Sequence, residues 1–338
     1  MLERIQVLPY NLGEVNEMNT QQSFTDIEYQ GRRRQTKRDI FLEAMDQLVP
    51  WKAWAEKVEP FYYPGERGRK PIPVERMLRM LMLSVWFDLS DEATEDAIYD
   101  SYAMRKFMGL TFENGSQVPD ATKLCKFRNF MNQHGLQREL FTQVHEILRA
   151  NGMEVRGGTI VDATIIEASH SIRNKEQKRD PEMHSTRKGN NYYFGMRAHI
   201  GVDPLHGFVH TVICTPANEA ECKVAPQLLR EDDRSVYGDA GYLKMERYVK
   251  DGIDRNYYIN RQPGTFKRHY GDSLSWAEEH KLERRKSSMR CKVEYAFHVV
   301  KDLFHWRKAR YKGIAKNQSM AYLLFGSANL LMLARAVC

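Results

Sequence analysis

The chain has 338 residues, 42% of them hydrophobic and 28% charged, a balance expected of a soluble protein with two or three domains. Lys and Arg number 51 against 44 Asp and Glu, a net charge of +7, which leans towards a polyanionic partner. Early acids and no apolar run argue against a secretory signal. The most apolar tract, residues 321–337, is broken by Gly326, Ser327, Asn329 and Arg335, so no membrane span is expected. The five cysteines, Cys125, Cys214, Cys222, Cys291 and Cys338, are scattered and form no CxxC pair, which excludes a thiolate zinc centre of that spacing and points to a cytoplasmic protein.

Residues 1–62 read as a basic N-terminal arm with a short helix near 36–49, where Phe41, Met45, Leu48 and Val49 recur at helical spacing. A linker over 64–73 leads into an apolar helix from Val74 to about Phe87, with Pro73 suited to its first turn. Ser90 and Asp120 are placed to cap the next helices, and Gly135 precedes another over 136–150. Residues 63–152 are therefore expected to form an all-helical domain, compatible with DNA binding or dimerisation.

After Asn151-Gly152 the pattern changes. Residues 158–166 are β-branched and read as a buried strand. Residues 167–192 read as a long polar loop. The segments 197–202 and 208–214 are expected to form a hairpin. Asn218 is expected to cap a helix over 219–230, with Glu221 completing a capping box. A short strand, Ser235–Gly238, delivers Asp239. A helix near 243–250 and a strand at 257–260 follow. Residues 261–285 read as an irregular insertion, 287–304 as a helix and 318–337 as a last helix. This order describes an α/β domain over 153–316, a mixed sheet flanked by helices, followed by a C-terminal packing helix over 317–338.

The charge is uneven. Lys281–Lys312 holds eleven Lys or Arg against Glu283, Glu294 and Asp302, a local balance of +8. A second basic run is Arg32, Arg33, Arg34, Lys37 and Arg38. Such runs are either solvated faces or phosphate-binding surfaces. Inside the first run, Arg290, Glu294 and Lys301 share one face of a regular helix. They are either a salt-bridge stripe or a carboxylate ligand between two phosphate-gripping cations. Asp162, within a buried strand, and Asp239, at the end of another, are either turn and cap contacts or metal ligands, because burying a carboxylate without a partner is costly.

Three blocks carry a resemblance: GTIVDATIIEA around Asp162, DAGYLK from Asp239, and RCKVEYAFHVVK from Arg290 to Lys301. They resemble the catalytic blocks of bacterial DDE insertion-sequence transposases of the IS5 group. The last follows the R-(3)-E-(6)-K pattern of the related IS4-like enzymes, with Ser287 where their signature opens on tyrosine. NKEQKRDPEMH (174–184), TPANE (215–219), KARYKG (308–313) and the helical stretch from Arg76 to Phe130 are similar to the same group. The likeness covers about Arg33 to Asn329.

The resemblance implies an RNase H-like fold with Asp162, Asp239 and Glu294 as catalytic, metal-binding carboxylates holding two Mg²⁺ ions, for which Mn²⁺ substitutes. It implies cleavage at the element's terminal inverted repeats and transfer of the 3′-OH ends into target DNA. The partners it implies are double-stranded DNA and a second copy of the chain on paired ends, with nucleoid association when bound. Arg290 and Lys301 are expected near the scissile phosphate, Tyr242 and Lys244 on flanking DNA, and Arg32, Arg33, Arg34, Lys37 and Arg38 as a basic arm. Trp276 either stacks on a base or packs internally. Two alternatives use the same residues: a metal-dependent nuclease without strand transfer, and a catalytically silent DNA-binding regulator.

Overall fold

The computed structural model describes residues 31, 33–63, 71–110, 117–154, 156–173, 177–262, 264 and 274–336. The chain divides into two compact units. One takes the described residues up to Gln143 and again from Leu330, and the other is Val144–Asn329.

Among the described residues, seven α-helices precede the first strand: α1 Lys37–Leu48, α2 Trp51–Val58, α3 Val74–Trp86, α4 Asp91–Asp100, α5 Tyr102–Phe107, α6 Ala121–Gln133 and α7 Leu136–Ala150. Their starts are written in polar side chains. Thr36 and Asp39 form a reciprocal capping box at α1, and Ser90, Ser101 and Asp120 cap α4, α5 and α6. Pro73 stands at the N-cap of α3 instead of its first turn. Gly135, at φ +64°, makes the left-handed turn between α6 and α7. Trp51, Trp86 and Phe107 meet edge to face at 5.5–6.3 Å between centroids. Arg79, 3% exposed, is drawn into this aromatic group. Its guanidinium lies 4.5 Å from the Trp51 ring centroid and bonds Asp46, Glu75 and the Phe107 carbonyl.

The second unit is built on a six-stranded mixed sheet: β1 Gly158–Glu167, β2 His184–Lys188, β3 Asn191–Val202, β4 Val209–Pro216, β5 Ser235–Gly238 and β6 Asn256–Ile259. β1 pairs antiparallel with β3 and parallel with β5; β3 also pairs with β2 and β4, and β6 lies parallel to β5. Beneath the strand ends Val161, Val236, Leu228, Tyr242, Met245 and Ile259 close a core. Among the described residues, the α-helices of this part of the chain are α8 Glu221–Val224, α9 Leu274–Arg290, α10 Lys292–His298 and α11 Ile314–Ala336.

Several expectations need correction. The loop expected over 167–192 contains β2 and the start of β3, a hairpin turning at Gly189-Asn190. Strand pairing there comes from backbone bonds at polar residues, which carry no hydrophobic signal. The helix expected over 219–230 is only α8 and a 3₁₀ turn, Ala225–Leu228, because Pro226 supplies no backbone N–H. Ala220, not Asn218, is its N-cap, and there is no side-chain capping bond. The helix expected near 243–250 is only a 3₁₀ turn, Met245–Arg247, preceded by another at Ala240–Tyr242. The tract 261–285 is not irregular throughout, since α9 starts at Leu274. Its residues are charged on all sides, so no apolar stripe announces it. The helix expected over 287–304 is broken at Cys291 and passes into a π-helical stretch, Val299–Leu303, which shifts Lys301 out of the phase of a regular α-helix. The last helix starts earlier than expected, at Ile314.

Candidate active site

The parallel register of β1 and β5 decides where two carboxylates lie. Ile160 stands opposite Tyr237, and two residues further on come Asp162, midway along β1, and Asp239, the residue after β5; neighbouring strands are usually about 4.8 Å apart. Both open into one cleft of about 610 Å³, lined also by Glu221, Arg187, Lys188, Arg197, Arg290 and Phe297.

Each group is held by its own element. Asp162 Oδ1 accepts from the Ala163 N–H at 2.8 Å and Oδ2 from Arg290 Nη1 at 3.3 Å. Burial pushes the Asp162 carboxyl up to about 6, against the opposing pull of the Ala163 N–H; the Asp239 charge adds to the rise and Arg290 opposes it. Asp239 caps its turn by accepting from Gly241 N–H at 2.8 Å. Glu221 Oε1 accepts from Arg197 Nη1 at 2.6 Å, and Arg197 Nη2 donates to Thr186 Oγ1 at 3.1 Å. Burial raises the Glu221 carboxyl too, with Arg197 opposing and Asp239 adding.

Tyr242 is fully buried, so the surface DNA contact expected of it is corrected. Its ring belongs to the core under the strand ends, and its hydroxyl has no hydrogen-bond partner. Burial drives that phenol well above its ordinary range, and the charges of Asp162, Glu221 and Asp239 push the same way.

The remaining expected residues are spread around these. Glu294 is exposed on α10 and does not line the cleft, although Arg290 and Phe297 on either side of it do. Lys301 Nζ donates to the Ile165 carbonyl at 3.0 Å on β1, and burial lowers its ammonium's pKa, with Lys188 and Arg307 adding to the fall. Lys244 is exposed in a left-handed conformation at φ +67°. Trp276 is half-buried and stacks on His280, centroids 4.7 Å apart. Arg33, Arg34, Lys37 and Arg38 are exposed, with Arg38 lying over the Phe87 ring. Arg32 lies outside the described residues. Sequence reasoning gave no site role to Arg187, Lys188, Arg197 or Glu221. The basic character of 184–188 was a signal for the first two; Glu221 was assigned to a helix cap.

A Transposase DDE domain family matches residues 154–330, more than half the chain, and a transposase domain family (DUF772) matches residues 30–130. The chain belongs to the DDE transposase family. The cleft of this transposase lies wholly within the first match, and the family works on DNA with divalent metal ions. The oxygen donors of Asp162, Asp239 and Glu221 suit a hard cation such as Mg²⁺ in kind. Among the described residues, no three acidic, His or Cys side chains yet converge on a common ion position. No helix among them is long and apolar enough to cross a membrane.

Proposed function

We propose that this transposase cuts DNA at the terminal inverted repeats of a mobile element and joins the freed 3′-OH ends to target DNA, with Asp162, Asp239 and Glu294 as its catalytic, cation-binding carboxylates. One observation carries the reading: Asp162, midway along β1, and Asp239, just past the end of the parallel neighbour β5, open into one cleft that also holds Arg187, Lys188, Arg197 and Arg290. The order of antiparallel β3 and β4 on one side of β1 and parallel β5 and β6 on the other supports an RNase H-like architecture.

In the first step a water oxygen attacks the scissile phosphorus, the P–O3′ bond breaks, and the 3′ oxygen leaves as a hydroxyl. In the second that hydroxyl attacks a target phosphodiester, and a target 3′ oxygen leaves. Two Mg²⁺ ions bound at the carboxylates would activate the attacking oxygen and stabilise the leaving one. Arg290 neutralises charge at the phosphate, being already inside the cleft. Lys301 steadies β1 through the Ile165 carbonyl. Phe297 supplies an apolar wall that limits water. Lys244, Trp276, Arg32, Arg33, Arg34, Lys37 and Arg38 are assigned to DNA further from the cut, and the helical region over 63–152 to end recognition and pairing of two copies.

The exposure of Glu294 outside the cleft favours one second reading, a catalytically silent DNA-binding regulator. A single experiment separates them. Purified protein is incubated with labelled duplex carrying the element's own ends and with supercoiled plasmid, in Mg²⁺, Mn²⁺, Ca²⁺ or EDTA, beside Asp162→Ala. Cleaved ends and joined product that vanish in EDTA and in the variant establish the transposase reaction. Cleavage without joining leaves a nuclease. Binding without a cut in any metal leaves the regulator.

A further inference from the structure

We infer that the tip of the β2–β3 hairpin, residues 186–193, is a two-stranded ribbon that enters the major groove of duplex DNA beside the cut and reads bases there through Arg187 and Tyr192. The inference rests on DNA lying along this cleft, as in the proposed function.

Three observations carry it. First, the tip stands clear of the sheet. The ladder of β1 with β3 ends at Gly195, and that of β4 with β3 starts at Met196. Asn191, Tyr192 and Tyr193 pair with Lys188, Arg187 and Thr186 and, among the described residues, with no other strand. A free ribbon of two strands has the width that the major groove of B-DNA, about 12 Å across, admits. Second, the tip borders the cleft. Arg187, Lys188 and Gly189 line it together with Asp162, and the Lys188 charge is felt at Glu221 and at Lys301. Third, the tip is basic and aromatic. No acid occurs from His184 to Val202, and Tyr192, 74% exposed, is the most exposed large hydrophobic side chain among the described residues.

Arg187 and Tyr192 are a cross-strand pair, so their side chains stand on one face of the ribbon. The guanidinium lies 5.7 Å from the Tyr192 ring centroid, and its Nε donates to the Gly189 carbonyl at 2.9 Å. That bond fixes the fork at the turn while the exposed side chain keeps further N–H donors. A held guanidinium suits the O6 and N7 acceptors of guanine, and an aromatic ring beside it suits a thymine methyl. Cations on an edge strand also discourage pairing between sheets. That role accounts for Arg187 and Lys188 but leaves the exposed Tyr192 without a purpose. Asn191 lies nine residues along β3 from Ile200, the partner of Asp162. At about 3.3 Å per residue the ribbon reaches as far as about 30 Å, or about nine base pairs, from Asp162.

The test uses the full-length protein and labelled duplex carrying the element's own ends, with Ca²⁺ or EDTA for binding and Mg²⁺ for cleavage. Wild type is compared with Arg187→Ala, Arg187→Lys, Tyr192→Ala, Tyr192→Phe and the exposed control Lys250→Ala. Circular dichroism checks that each folds. Dimethyl sulfate reports protection of guanine N7 in the major groove, and base pairs beside the cut are swapped one at a time. The expected result is protection within about nine base pairs of the cut that Arg187→Ala abolishes. Arg187→Ala and Arg187→Lys should bind the native ends at least fivefold more weakly, with the salt dependence of binding unchanged and the penalty for swapped base pairs removed. Tyr192→Ala should bind at least threefold more weakly, Tyr192→Phe should recover most of that loss, and Lys250→Ala should match wild type. Arg187→Ala that weakens binding equally on every sequence and lowers the salt slope by about one marks a phosphate contact only, and overturns the reading of bases. Affinity of Arg187→Ala and Tyr192→Ala within twofold of wild type, while the ends are still cut in Mg²⁺, overturns the ribbon and leaves the proposed function standing. Guanine protection that depends on Arg187, with no cut in Mg²⁺, supports the ribbon and overturns the proposed reaction.

Discussion

Arg290 reaches across 128 positions of sequence to place its guanidinium 3.3 Å from the Asp162 carboxylate. The acid sits on the central strand, the base at the end of α9. The pair is partial compensation, because the carboxyl still titrates near 6.

That residual cost gives a first prediction. A folded-state value near 6 against an ordinary 3.8 corresponds to about 3 kcal/mol of strain in the charged form. The sign is that of a raised carboxyl: the stabilisation is fully present below 3.8 and is lost as pH rises through 6. Asp162→Asn removes the buried charge, so the metal-free variant is expected to unfold about 1–3 kcal/mol harder than wild type at pH 7.5, and to lose DNA cleavage. Urea unfolding with EDTA present measures it. A variant less stable than wild type would refute the account of Asp162 as a strained carboxylate.

Two glycines should respond to one added methyl group to different degrees. A Cβ at Gly195 would fall 2.2 Å from the Ile166 carbonyl oxygen and 2.8 Å from the Ala168 N–H, both backbone. Gly195→Ala is expected to cost about 1–3 kcal/mol of stability. A Cβ at Gly241 meets the free end of Glu221, which can swing away. Gly241→Ala is expected to cost under about 1 kcal/mol in stability and at least tenfold in DNA cleavage rate. Thermal melts and cleavage rates of both variants, side by side, decide it.

Acid should weaken the unit that carries the cleft. Burial lowers His199 to about 3 and His145 to about 4, from 6.5. For a depressed histidine the stabilisation is present above 6.5 and is lost as pH falls towards the folded value. At pH 5 each histidine has forfeited about 2 kcal/mol, and Asp162 returns only about 1.4. The net is a loss, so Tm should be lower at pH 5 than at pH 7.5, and His199→Gln should reduce the difference. A Tm independent of pH over that range would contradict neutral burial of these rings.

In the helical unit the same logic applies to a cation. Arg79 bonds Asp46 at 2.6 Å, Glu75 at 2.8 Å and the Phe107 carbonyl at 2.8 Å. Asp46 and Glu75 are partly exposed, so water takes them over when the arginine is removed. Arg79→Met is therefore expected to cost about 2–4 kcal/mol, at the low end of what a broken buried pair costs. Arg79→Lys should recover less than half, since an ammonium cannot reach all three acceptors as a planar fork does. Urea unfolding followed by tryptophan fluorescence reads it through Trp51.

What the sequence made legible was what local pattern encodes. Val161 and Ile160 marked β1, and Ser90, Asp120 and Gly135 marked helix ends through backbone groups a few residues away. Asp162 and Asp239 were legible as acids at strand positions. The meeting of the two in one cleft depends on a register between segments 77 residues apart, which no local pattern states. Glu221 was misread because its spacing from Asn218 satisfies the capping rule, while its actual partner, Arg197, lies 24 residues back on strand β3. The hairpin of β2 and β3 escaped for a related reason: Arg187 and Lys188 are exposed and polar, and only the partner strand makes them a strand.

The pairing of β1 has a mechanical consequence. Asp162 lies opposite Ile200 in an uninterrupted ladder running from Ile160 to Glu167, and its strand is pinned again where Lys301 and residues 307–309 bond Ile165 and Glu167. Asp239 stands on a three-residue turn, and Glu294 follows a break in its helix at Cys291. Within the cleft, Asp162 is therefore tied by a continuous ladder, whereas Asp239 is tied by a single short turn. If the proposed cut is made here, the carboxylate on β1 is expected to hold its place while the side of the Asp239 turn gives way to the DNA.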